Sequence, residues 1–221
     1  MESFYYIGIH TTYLLIFSIA LGLGIGASAL SHLLFLQSDE DSKISRDEFK
    51  YLLLSRKVVW VALLLYGFSG VGLFSLAYES MLVLGIFYAS MTVAFILFVN
   101  EVMFLFRHLP RIQNKKNNVT IDAYILESGT VSVVSWIFLM FHHVIYRIDI
   151  GYFAFMGLYA FILALSMLIT WFAHNKKVGQ HDKKILKRSV IASLILASMF
   201  ALGWYINADN IFHTKETAKI P

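Results

Sequence analysis

Six long runs of apolar residues alternate along the chain with short stretches that hold nearly all of its charge. The runs cover about residues 5–36, 58–77, 81–106, 123–146, 150–172 and 190–206. A helix rises 1.5 Å per residue, so about 20 apolar residues cross the hydrocarbon layer of a bilayer. The pattern therefore predicts an all-α integral membrane bundle of about six transmembrane helices, a single domain over residues 1–221. The first run is longer than a perpendicular span, which predicts tilt or projection from the bilayer. The last is the shortest.

The intervening stretches fix an expected orientation. The first carries Lys43, Arg46, Lys50, Arg56 and Lys57; the third carries Arg107, Arg111, Lys115 and Lys116; the fifth carries Lys176, Lys177, Lys183, Lys184, Lys187 and Arg188. Of 18 basic residues only Arg147, Lys215 and Lys219 fall elsewhere. Lys and Arg accumulate in cytoplasmic loops, so loops one, three and five are expected in the cytoplasm and both termini outside it. Loops two and four, around Glu79 and over Arg147–Asp149, are short, which makes their flanking helices antiparallel neighbours. Tyr5, Tyr6, Tyr13, Trp204 and Tyr205 suit the outer aromatic belt.

Composition narrows the function classes. Hydrophobic residues make up 58% of the chain and charged residues 14%, whereas a soluble domain carries about 25% charged residues. The excess apolar surface requires a lipid bilayer as partner. The formal charge of +4 sits in loops between spans, so it describes topology rather than nucleic-acid binding. With Cys at 0, disulfides, thiolate metal sites and cysteine nucleophiles are excluded. The N-terminus MESFYYIGIH lacks a basic n-region, and the run behind it outlasts a signal h-region, so it reads as a retained first helix. No nucleophile motif or phosphate loop argues for soluble-type catalysis.

Two local patterns have structural explanations. QSDEDSKISRDEF echoes an EF-hand loop, but Gln37 stands in place of the first Asp and Ser42 in place of the turn Gly. Ser45-x-x-Glu48 is better explained as a capping box that opens a helix running into the second span. Gly22-x-x-x-Gly26 and Gly24-x-x-x-Ser28 in helix one, with Ser189, Ser193, Ala197 and Ala201 in helix six, allow close helix approach.

Ionisable groups within a bilayer cost several kcal/mol and are functional candidates by default. His10, His142 and His143 fall near the outer ends of helices one and four; His32, His108 and His174 fall near inner ends. One face of helix one carries His10, Gly24, Ser28 and His32, and Ser128, Ser135 and His142 recur at sevens in helix four. Two inward histidines at matching depth can supply two axial imidazoles to a haem iron, and small residues beside them leave room for the porphyrin. This predicts an outer haem b pair, His10 with His142 or His143, and an inner pair, His32 with His174. His10 and His32 are roughly 33 Å apart along the helix, long for two stacked haems, so the single outer haem is better supported. His32, His108 and His174 also read as ordinary interfacial histidines beside Lys or Arg. Asn100, Glu101 and Glu127 form a second set one to two turns from the cytoplasmic side. They read as a proton path or quinone-head site, or as ion pairs with Arg107 and its neighbours through snorkelling side chains; the structural account is favoured.

A His early in the first span, the Gly-rich stretch after it, and a charged loop leading to SRKVVW and FSGVGLF resemble the copper-resistance-D-like polytopic membrane proteins of bacteria, over about residues 7–111. The resemblance implies the bacterial cytoplasmic membrane and binding of haem b or copper through membrane histidines, with His10 the position it supports. The expected function is therefore a b-type haem electron-transfer protein or cytochrome-like subunit, with possible exchange of quinone. A transporter or copper-handling permease is the alternative, and an accessory subunit packing on membrane partners or on further copies of itself is a third.

Overall fold

The computed structural model describes residues 2–38, 46–81, 85–110, 123–145 and 151–174, together with Ile191, Ile195 and Ser198. The chain is all-helical over these residues. Helix α1 spans Glu2–Ser38, α2 Arg46–Met81, α3 Gly85–Met103, α4 Ala123–Ile145 and α5 Tyr152–His174. A π-helical turn, Phe104–His108, continues α3. All five helices are long and apolar enough to cross a membrane. Of the sixth expected span, Ile191, Ile195 and Ser198 are helical and exposed; the rest of residues 190–206, like His181 and His213, lies outside the described residues.

Helix α2 starts where the capping-box reading opens it, ahead of the apolar run. The expected span begins at residue 58, but the helix is continuous from Arg46, with Asp47 and Glu48 in its first turn. Acidic side chains there complement the helix dipole, and no Pro or Gly interrupts the chain before Gly67. Lys50 donates to Asp47 at 2.9 Å on the exposed face. Arg56, expected among loop charges, is thereby carried about three turns into the helix.

At the other end of α3, Leu109 N–H reaches back to the Phe104 carbonyl, an i→i+5 bond. Pro110 follows without an N–H, and its ring crowds the carbonyl four residues earlier, which favours a displaced bond pattern just before it.

Three packed pairs run antiparallel, as their contacts show. Between α1 and α2, Tyr13 packs on Phe68 and Phe17 on Tyr66, while at the far end Ser31 meets Ser55. Between α1 and α4, Gly24 lies against Trp136, Ser28 against Ser132, and Gly129 against His32. Between α2 and α3, Phe74 stacks on Phe87 and Arg56 meets Glu101. Helix α4 is central, touching α1, α3 and α5.

The interior is divided along the bundle axis. One half is aromatic: Trp136, Phe138, Phe155 and Tyr159 are almost wholly buried, and Phe138 makes edge contacts with Phe155 and Tyr159. The other half, nearer the ends flanked by basic residues, is polar. Outside, Leu64, Phe68, Val71, Phe95, Phe106 and Phe172 are exposed, the surface expected of a protein solvated by lipid.

Candidate functional site

The polar half centres on Arg56 and Glu101, whose side chains are 6% and 0% exposed. Nη1 of Arg56 donates to both carboxylate oxygens of Glu101, at 2.8 and 2.9 Å. The Arg56 guanidinium carbon stands 3.8 Å from the centre of the Phe104 ring, a cation–π contact that partly replaces lost hydration. Ser132 donates to Glu101 Oε1 at 2.8 Å, and Ser28 and Ser132 are 2.9 Å apart. A hydroxyl has one hydrogen, and an ionised carboxylate only accepts. Ser132 therefore gives its proton to Glu101, and Ser28 gives its own to Ser132.

The network extends across the bundle at the same level. Ser31 and Ser55 share a 2.6 Å hydrogen bond between α1 and α2. Asn100 Nδ2 donates to the Ser128 carbonyl at 3.0 Å, tying α3 to α4. Thr130 and Thr170 approach at 3.4 Å between α4 and α5. His32 is half-buried over Gly129, where a Cβ would stand 2.9 Å from the imidazole Nδ1. His108 is buried and Glu127 half-buried. One transverse layer thus collects polar side chains from all five helices, although each helix is apolar enough to cross a membrane.

The sequence-derived candidates fall into this layer unevenly. Asn100 and Glu101 are in it, and Glu127 is beside it on α4. The carboxylate of Glu101 is paired with Arg56 of α2, not with Arg107 as the snorkelling account expects. Six helical positions turn Arg107 well away from Glu101, and its side chain is exposed. Ser28 is in the layer as a donor to Ser132, and Gly24 is filled by the Trp136 indole. Neither leaves space between α1 and α4. Ser128 and Ser135, expected on one stripe, diverge: Ser135 bonds Tyr159 on α5 at 2.9 Å.

His10 and His142 are both half-buried toward the aromatic half. Continued outward, the α1–α4 register sets His142 level with about Ser18, roughly 12 Å along α1 from His10. His143 and His174 lie near the ends of α4 and α5, with side chains outside the described part. Among the described residues there is no group of three or more His, Asp or Glu placed to hold a metal ion.

Arg56, Ser132, Ser31 and Ser55 are the residues that sequence reasoning missed. The signal for Arg56 was available: the capping box already extends the helix backwards, and an Arg ten residues inside it must be accommodated. Set against known proteins, the chain matches no family model, no curated protein and no solved structure.

Proposed function

We propose that the chain is a six-span transporter of the bacterial cytoplasmic membrane, both termini outside the cytoplasm, that couples solute movement to protonation of Glu101. The observation that carries this reading is the buried Arg56–Glu101 pair with its serine string. Carboxylates within membrane spans that face the bundle interior mark ion pathways and proton relays. Glu101 has such a position, and the Ser28–Ser132 string gives its proton a hydrogen-bonded path. The excess of Lys and Arg in loops one, three and five supports a cytoplasmic position for the layer, and the apolar run 190–206 is long enough to be the proposed sixth span.

Infrared difference spectroscopy on the purified chain tests it. A protonated-carboxyl band should rise as pH falls and disappear in Glu101→Gln. A Glu101 that stays ionised until the protein unfolds overturns the reading.

The second reading is a b-type haem protein exchanging with quinone. It is supported by His10 and His142, half-buried near the same end of two packed helices, and by the resemblance that points to His10. It requires a haem site clear of the α1–α4 contact, since Trp136 and Ser132 occupy the space beside Gly24 and Ser28. A Soret band lost in both His10→Ala and His142→Ala favours it, and colourless protein ends it.

A further inference from the structure

We propose that Arg56 is the binding point for a small planar oxyanion, taken up together with one proton on Glu101. This rests on the transporter reading and names the class of solute that its site would take.

The Arg56 guanidinium is used unequally. Arginine presents five N–H groups in a rigid plane. Glu101 occupies only Nη1, with both of its oxygens on that one nitrogen. Nε and Nη2 are sealed from solvent and have no acceptor among the described residues. These two nitrogens form the side-on edge of the fork, where two N–H bonds point in parallel. It is the edge that holds a carboxylate-shaped group by a bidentate pair of bonds. Burying charged donors without acceptors leaves their desolvation uncompensated, so the edge is fitted for an oxygen ligand that the described residues do not supply. Ser128 Oγ, on the α4 turn next to Ser132, is a further buried polar atom without a partner among the described residues. Phe104 covers one face of the guanidinium and is the first residue of the π-helical turn.

Charge balance links the anion to a proton. Arg56 and Glu101 together are neutral. An anion on the free edge would leave one net negative charge in a low-dielectric layer, which is costly unless a proton is bound with it. Glu101 is the carboxylate on the same guanidinium, so in this proposal a proton from the solvent ends on one of its oxygens and neutrality is restored. Among the described residues, the other titratable groups around this level are His32 on α1, Lys57 next to Arg56 on α2, Glu127 on α4, and Arg107 and His108 beyond Glu101 on its own chain segment. Because His32, Glu127 and His108 are alternative proton acceptors, a variant at Glu101 is needed to assign the proton.

The test is titration calorimetry of the full chain in detergent with sodium nitrate, sodium formate and sodium chloride, in two buffers of different ionisation enthalpy. Nitrate and formate, planar with paired oxygens that give each N–H its own acceptor, should bind saturably, and chloride, which offers one atom to both N–H groups, should bind at least about tenfold more weakly. About one proton should be taken up per anion. Arg56→Lys keeps the charge without the fork, and should weaken nitrate binding at least about tenfold. Glu101→Gln should bind nitrate without proton uptake. The proposal is overturned by absent nitrate binding, by binding indifferent to Arg56→Lys, or by proton uptake that survives Glu101→Gln. If Arg56→Lys does not fold, the chloride comparison and Glu101→Gln still decide. A titrating Glu101 infrared band with no nitrate binding removes this proposal and leaves the proton reading standing.

Discussion

Gly22, Gly24 and Gly26 lie within two turns of α1, yet their surroundings differ. A Cβ on Gly24 would run into the indole of Trp136, a side chain buried to 0% exposure, while Gly22 and Gly26 have nothing within 4 Å. Gly24→Ala should therefore destabilise the protein by about 1–3 kcal/mol through overpacking, read as a lower midpoint of thermal unfolding in detergent. Gly22→Ala and Gly26→Ala should be neutral or slightly stabilising, because Ala is the better helix former. Equal losses at all three positions would show that Trp136 does not sit where α1 is tightest. The Arg56–Glu101 pair makes a second demand at this scale. Removing one partner strands a buried charge, so Arg56→Met or Glu101→Leu alone should cost about 3–5 kcal/mol, and the double variant should recover most of it. Additive losses in the double variant would mean that the two groups do not depend on each other.

At the level of elements, the spans were readable because hydrophobic length is a one-dimensional property, and α3, α4 and α5 lie close to their expected limits. The polar layer was only half readable. Glu101 and Asn100 announce themselves, since a polar group in an apolar run needs an explanation. Arg56 was hidden because charge at the edge of a run looks like a loop, although the helix continues beneath it. Ser132 was hidden because serines are common in spans, and only packing decides which of Ser128, Ser132 and Ser135 faces which neighbour. Hydroxyl pairs between helices stabilise modestly in bilayers, since the separated helices find other partners for the same groups. A double-mutant cycle on Ser28→Ala and Ser132→Ala should thus give a coupling of about 0.6 kcal/mol, and no more than about 1.7. Ser31→Ala with Ser55→Ala should fall in the same range. Zero coupling in the first cycle, measured by reversible unfolding, would argue that the serine string is not formed.

For the whole molecule, the division of the interior into an aromatic half and a polar half gains its meaning from orientation. The polar layer lies toward the helix ends that adjoin loops one and three, and those loops, with loop five, hold most of the basic residues. If they face the cytoplasm, the proton proposed for Glu101 comes from that side, and the aromatic half separates it from the outside. Because the chain has no cysteine, single introduced cysteines report topology without background. Ser42→Cys, Asn117→Cys and Gln180→Cys should react with a membrane-impermeant maleimide only after the cells are permeabilised, whereas Glu79→Cys and Asp149→Cys should react on intact cells. Lys215→Cys decides the sixth span: labelling from outside places residues 190–206 across the membrane, and labelling only after permeabilisation leaves five crossings and a cytoplasmic C-terminus. Reversal of the whole pattern would put Glu101 near the outer surface, where proton supply and solute entry come from the opposite side and the coupling runs outward.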